Sequence, residues 1–100
     1  MPFTQPNRFA FNASSIKANA PNASGLYGIF NTSQWIYIGE SSDIQQDLLE
    51  HLRDAGSCIK RCHPTGFTFE LQPGAFRIVR QGLLIRELGT LCNNKDESKG

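Results

Sequence analysis

Long apolar runs and a marked charge of either sign are both missing from this chain. No segment reaches the roughly 18 to 20 apolar residues that a membrane-spanning helix needs, so we expect no membrane partner. Ten Lys and Arg stand against nine Asp and Glu, which gives a net charge of +1. Non-specific nucleic-acid binders usually carry a basic excess, so any contact with nucleic acid must come from a local patch.

Cysteine is scarce, with three in the chain, and residues 1–8 lack the apolar stretch after a basic start that a secretory signal needs. An odd number of cysteines without export predicts free thiols in a reducing, cytoplasmic location. Cys58, Cys62 and His63 are spaced too loosely for a zinc site, and Cys92 is far away along the chain. We therefore interpret the three as unrelated cysteines.

A length of 100 residues, 39% of them hydrophobic and 19% charged, is typical of a single small globular domain. The polar segment 1–23 is predicted to lead into this domain, with a short helix over 14–20 that Pro21 stops. The domain itself is expected to occupy residues 24–93. The charged tail 94–100 is expected to be disordered.

Two strand-like segments, 25–30 and 35–40, are joined by a short polar loop of hairpin length. Across such a hairpin, Tyr27 is expected to stand near Tyr37. A third alternating segment at 67–71 predicts one more strand. The sequence therefore predicts a small α/β domain, an α+β sandwich whose three-stranded, mainly antiparallel sheet is flanked by helices.

The second strand segment carries both aromatic and branched side chains. Strict alternation predicts that Trp35 and Tyr37 share one face of the sheet, while Ile36 and Ile38 share the other. The branched face would then join the core, and the aromatic face would be open to a ligand.

Two helices are predicted after the hairpin. The first covers 43–55, with Ser42 as its N-cap and Gln45 as the capping-box partner. The second covers about 75–88 and follows a Pro-Gly break, and residues 56–66 between the helix and the third strand are expected to form a loop.

The Gly-Leu-Tyr at 25–27 and the Tyr-Ile-Gly at 37–39, followed at once by a capped helix, resemble the GIY-YIG nuclease family, whose name records two such tripeptides. The resemblance covers most of residues 24–93. That family hydrolyses phosphodiester bonds with the help of a divalent metal. The resemblance therefore implies Mg²⁺ or Mn²⁺ as the cofactor and nucleic acid, DNA in the first place, as the partner.

The resemblance also implies roles for individual side chains. Tyr27 matches the tyrosine that helps to activate the nucleophile as a general base, and Tyr37 matches the tyrosine that orders the nucleophile or the phosphate. Asn93 matches a late asparagine that helps to hold the site. His51 falls where many members of the family carry a histidine.

Two positions depart from the family pattern. Asp47 stands where the family carries an arginine that stabilises the phosphate, and Gln81 stands where it carries a metal-binding glutamate. A guanidinium about 4 Å from a phosphate is worth about 4 kcal/mol at an effective dielectric of 20, and a carboxylate there would repel by a comparable amount. Gln81 would be a weak metal ligand because an amide brings no charge. The plainer interpretation of Asp47 is that it pairs with His51 on one flank of the helix. The plainer interpretation of Gln81 is a hydrogen-bonded amide in the core.

The sequence leaves several functions open. We expect an endonuclease-family domain whose catalysis is impaired. One alternative is a non-catalytic module that binds nucleic acid or a protein, including a second copy of itself. Another is an active nuclease whose metal ligand has moved to Asp47, with Arg53 or Arg80 replacing the lost cation. Asp47 and Gln81 could also be inactivating substitutions introduced by design.

Overall fold

An antiparallel sheet forms the centre of the fold in the computed structural model, which describes residues 8–54 and 58–93. Its spatial strand order is β1-β4-β2-β3, so β2 is flanked by β4 and β3. The predicted antiparallel α+β class is confirmed, with four strands in place of the three that were predicted. In chain order these strands are β1 (Phe9–Ala10), β2 (Gly25–Phe30), β3 (Trp35–Ser41) and β4 (Gly66–Leu71).

The additional strand, β1, comes from the lead-in segment. Phe9 pairs with Phe67 and Ala10 pairs with Gly66. The alternation of Phe9 and Phe11 with Ala10 and Asn12 is compatible with a short strand at this place. The predicted tail at 94–100 lies outside the described residues.

The helices of the described residues are α1 (Ala13–Asn19), α2 (Ile44–Arg53), α3 (Cys58–Arg61) and α4 (Gly74–Leu88). The Asp43 side chain accepts a hydrogen bond from the backbone N–H of Gln46 at 3.2 Å and so caps α2. The prediction of Ser42 as the cap is therefore wrong, because Asp43 is the extended residue directly before the helix. The short helix α3 lies where a loop was predicted, and the predicted end of the first helix, at residue 55, lies outside the described residues.

A β-bulge in β3 separates Trp35 from Tyr37. Two consecutive residues of β2 pair with Tyr37 and Trp35, so Ile36 is the extra residue. The predicted strict alternation is wrong at this step. Trp35 packs with Ile38 on the α4 side of the sheet, whereas Ile36 and Tyr37 belong to the cluster on the opposite side.

The sheet separates two apolar clusters. On one side, Leu26 and Ile38 pack against Leu84 of α4. On the other side, α1, α2 and α3 cover a larger cluster that includes Ile16, Tyr27, Ile29, Ile36, Ile44, Leu48, Ile59 and Phe67. Two helical layers thus enclose the sheet. None of the helices in the described part of the chain is both long and apolar enough to cross a membrane.

A disulfide joins Cys58, the first residue of α3, to Cys92, which follows α4. The two Cα atoms lie 5.8 Å apart, and Sγ of Cys62 lies 3.8 Å from Sγ of Cys92. The prediction of unrelated free thiols is therefore wrong for Cys58 and Cys92. Their 34-residue separation in sequence is closed by the fold, which local spacing could not indicate.

Candidate functional site

The two tyrosines and His51 meet on the α2 side of the sheet. The hydroxyl of Tyr27 and Nε2 of His51 are joined by a 2.7 Å hydrogen bond. The ring centroids of Tyr37 and His51 are 5.1 Å apart, and those of Tyr27 and Tyr37 are 6.2 Å apart. Tyr27 is buried and Tyr37 is half-buried. The expectation that the two tyrosines stand near each other is confirmed, and His51 from α2 joins them.

The glycine of each tripeptide makes room for a neighbouring strand or ring. A Cβ on Gly39 would overlap the phenol ring of Tyr27, which lies across it on the paired strand. A Cβ on Gly25 would overlap the carbonyl oxygen of Glu70 on β4. Gly39 of the second tripeptide thus allows Tyr27 of the first to lie flat across β3 and reach His51.

We predict that Gly39→Ala displaces the Tyr27 ring and destabilises the fold by about 1–3 kcal/mol, the usual cost of overpacking a core. Urea unfolding followed by tyrosine fluorescence would measure the loss. Gly82→Ala is the matched control, because nothing lies within 4 Å of a Cβ built at that position of α4. This control should gain about 1 kcal/mol from its better helix propensity. Equal stabilities for the two variants would contradict the packing role of Gly39.

Beside the tyrosines lies a cleft of about 360 Å³, which we call the acidic cleft. Four carboxylates line it, and among the described residues no Lys or Arg does so. Asp47 and Glu50 contribute two carboxylates from α2, Asp54 contributes one from the C-cap that directly follows it, and Glu40 contributes the fourth from β3. The lining residues are Tyr27, Tyr37, Glu40, Asp47, Glu50, His51, Asp54 and Gln81.

The carboxylate of Asp47 sits at the centre of this charge. Its partial burial raises its pKa, and the repulsion from Glu50 and Asp43 acts in the same direction. A hydrogen bond from the Ser41 hydroxyl and the charge of His51 oppose the rise in pKa. The environment of Asp47 therefore disfavours one more negative charge and favours a bound cation.

Gln81 and Asn93 both hold the same peptide unit of β3. The Gln81 side chain donates from Nε2 to the carbonyl of Ile38 at 3.0 Å. Asn93 donates to that carbonyl from Nδ2 at 2.9 Å and accepts from the Ile38 N–H at 2.9 Å. Gln81 also lines the acidic cleft, whereas Asn93 lies outside its lining. Both amides thereby fix the strand next to Tyr37.

The two arginines suggested as substitute cations do not line the acidic cleft. Arg80 binds the buried Glu70 with both ends of its guanidinium, at 2.7 Å and 2.9 Å, and Arg53 is exposed. The cation at the margin is Arg77 of α4, whose Nε lies 3.2 Å from Oε1 of Glu40. Nε and Nη1 of Arg77 are buried and make no hydrogen bond to the described residues.

Sequence reasoning placed Tyr27, Tyr37, Asp47, His51 and Gln81 at this site, and all five line the acidic cleft. It did not single out the three further carboxylates. The spacing of Glu50 and Asp54 after Asp47 could have indicated these two, whereas the position of Glu40 on β3 depends on the tertiary fold. The missed residues are Glu40, Glu50 and Asp54.

A hard divalent cation suits this set of donors. Mg²⁺ and Mn²⁺ prefer oxygen ligands, and Mg²⁺ usually keeps several waters while one or two carboxylates hold it. Gln81 could add only its amide oxygen, because its nitrogen donates to Ile38. Among the described residues, no three carboxylates of the cleft lie close enough together to bind one ion jointly. In the same part of the chain, only the sulfurs of the three cysteines lie that close to one another. An ion in the cleft would therefore take most of its ligands from water.

Solved structures show where this fold occurs. The chain is similar to the N-terminal GIY-YIG endonuclease domain of UvrC from Thermotoga maritima, seen in two tyrosine-to-phenylalanine point mutants bound to the catalytic divalent cation. The TM-scores are 0.64 and 0.63 at 18% and 17% sequence identity, and each match covers 75% of this chain and 90% of that one. No protein-family model matches the sequence, and no curated protein gives a significant match. The chain thus has the GIY-YIG endonuclease fold, as the two tripeptides predicted.

Proposed function

We propose that this chain is a GIY-YIG-fold domain that binds a divalent cation in its acidic cleft and has lost most of the nucleic-acid phosphodiesterase activity of such domains. One observation carries the proposal. Two tyrosines and a histidine that lie against one another line the cleft. Four carboxylates also line it, and no described Lys or Arg does so. The machinery for moving a proton is kept, and the cation that would hold the phosphate is missing.

The hydrogen bond between Tyr27 and His51 gives the phenol a proton acceptor. With Nε2 of His51 unprotonated, the phenol can pass its proton to that nitrogen and then accept one from an attacking water. The ring of Tyr37 meets the ring of His51 edge to face and lines the cleft beside it. A divalent cation, when bound, would supply the positive charge that polarises a phosphoryl oxygen.

The acidic cleft is expected to bind a phosphate group poorly. A phosphate within about 4 Å of an ionised Asp47 is repelled by about 4 kcal/mol at an effective dielectric of 20. That energy corresponds to roughly three orders of magnitude in rate. Arg77 does not reverse this effect, because it already lies 3.2 Å from Glu40. Cleavage of DNA should therefore be very slow even with the metal bound.

A titration with Mn²⁺, followed by calorimetry, tests the proposal. We expect one ion per chain, and we expect Glu40→Gln and Asp47→Asn each to weaken its binding by roughly tenfold, or about 1.4 kcal/mol. Glu87→Gln is the matched control, because Glu87 is an exposed carboxylate of α4 outside the cleft. Binding that is absent, or that weakens equally in all three variants, would overturn the proposal.

Exposed apolar side chains on α4 favour a second candidate, a protein-interaction module. Phe76, Ile78, Val79 and Leu83 are 60%, 69%, 64% and 51% exposed. Exposed apolar residues in a group mark contact surfaces more often than scattered ones do. A chain that binds neither Mn²⁺ nor DNA but associates with itself or another protein in light scattering would favour this candidate. The cytoplasmic location stays a prediction from the sequence.

A further inference from the structure

Three sulfur atoms converge away from the acidic cleft, and we call their residues the cysteine trio: Cys58, Cys62 and Cys92. Their Sγ atoms all lie within 4.8 Å of one another. Cys92 is fully buried, and the other two are half-buried. Two of them form the disulfide Cys58–Cys92, and Cys62 carries the remaining thiol.

Separate backbone contacts hold the members of the cysteine trio in place. The N–H of Cys92 donates to the carbonyl of Ile36 on β3 at 2.8 Å. The side chain of Asn31 donates from Nδ2 to the carbonyl of Cys62 at 2.9 Å. Cys58 and Cys62 are four residues apart across the single turn of α3, so their side chains share one face. The sulfurs therefore converge because of the fold and do not depend on the disulfide alone.

The spacing suits a soft cation. Zn²⁺ bound to thiolates at about 2.3 Å in tetrahedral geometry holds its sulfurs roughly 3.8 Å apart. The observed separation between Sγ of Cys62 and Sγ of Cys92 is 3.8 Å. We propose that the reduced cysteine trio binds one Zn²⁺ ion, with the fourth coordination position left to a water molecule. Such a site is separate from the oxygen-lined acidic cleft, which suits harder cations.

The disulfide and the metal site exclude each other. A phosphine or dithiol reductant supplies the two electrons that break the Cys58–Cys92 bond, which leaves two thiols beside Cys62. The three thiols then release their protons to solvent as three sulfur–metal bonds form. Exchange with an external disulfide oxidises Cys58 and Cys92 back to their disulfide, reduces the external disulfide to two thiols and releases the metal. Occupancy of this site therefore follows the redox state of its surroundings.

Cobalt titration of the full chain, reduced with a phosphine under anaerobic conditions, tests the proposal. We expect one Co²⁺ to bind with the thiolate charge-transfer band and the visible bands of tetrahedral cobalt, and to be displaced by Zn²⁺. A Co²⁺ ion held by oxygen ligands in the acidic cleft gives no thiolate band and is counted separately. The disulfide-bonded protein should show no such bands. Cys62→Ser, which keeps the other two cysteines, should weaken binding by more than about tenfold.

Glu87→Gln is the matched control, because it removes an exposed carboxylate of α4 outside the acidic cleft and leaves the three sulfurs in place. Its cobalt spectrum and affinity should equal those of the unaltered chain. Circular dichroism would establish that Cys62→Ser is folded. An unchanged affinity in folded Cys62→Ser, a spectrum without the thiolate band, or a loss of that band in Glu87→Gln would overturn the proposal.

Discussion

Converting Asp47 to Arg and Gln81 to Glu in the same chain is expected to raise the rate of DNA cleavage by at least about 1,000-fold. The first change replaces a repulsion of about 4 kcal/mol on the phosphate by an attraction of similar size, and each 1.36 kcal/mol changes a rate tenfold. The second change adds a charged metal ligand beside the carboxylates that already line the acidic cleft. Nicking of supercoiled plasmid in Mg²⁺ or Mn²⁺ is the measurement.

Each single replacement should recover far less than the pair, because groups that act on one phosphate are strongly non-additive. The control adds Tyr27→Phe to the double variant and removes the hydroxyl that bonds to His51. Activity should then fall to the starting level if it arises in this cleft. A double variant that folds, binds Mn²⁺ and stays inactive would contradict an inactivated nuclease and favour the interaction module.

The largest effect on stability is expected from Arg80→Ala. Arg80 makes two hydrogen bonds to Glu70, whose side chain is 1% exposed. Removing one partner of a buried ion pair typically costs about 3–5 kcal/mol. That is a large part of the 5–15 kcal/mol that is typical for a domain. The hydrogen bond from Nε2 of Gln72 to Oε2 of Glu70 at 2.7 Å would remain, but it brings no positive charge. Urea unfolding at pH 7 would measure the change in the free energy of unfolding.

The same variant has a distinctive pH dependence. Without its arginine, the buried carboxyl of Glu70 should have a pKa above that of the unfolded chain, because burial disfavours its charged form. The folded state then binds more protons than the unfolded state, so stability should recover as the pH falls toward 5. Arg86→Ala is the matched control on the exposed side of α4 and should change stability little at either pH. A loss in Arg80→Ala as small as that of the control would contradict the argument.

The sequence was most informative where the chemistry is local. The paired tripeptides predicted the hairpin, the nearness of Tyr27 and Tyr37, and the fold itself, because glycine and tyrosine at these positions serve contacts between adjacent strands. The helix pattern likewise placed Asp47 and His51 on one flank of α2, and both reach the cleft.

What the sequence could not predict depends on contacts between distant elements. The bulge at Ile36 changes the face of Trp35 without any local Gly or Pro to indicate it. The disulfide joins residues 34 positions apart, and the fold also places Sγ of Cys62 3.8 Å from Sγ of Cys92. Glu40 lines the cleft together with residues of α2 although it also lies 3.2 Å from Arg77 of α4, an arrangement that only the assembled fold creates. Each of these requires the assembled sheet.

The side chain of Asn93 has a further consequence for how the protein behaves in concentrated solution. The Asn93 side chain both donates to and accepts from the backbone of Ile38, as a residue of a neighbouring strand would. The backbone N–H groups of Leu91 and Cys92 also bond to carbonyls of β3. Residues 91–93 thereby imitate a neighbouring strand along the outer edge of the sheet. A chain truncated before Leu91 would present a bare β edge, which is a template for aggregation between molecules.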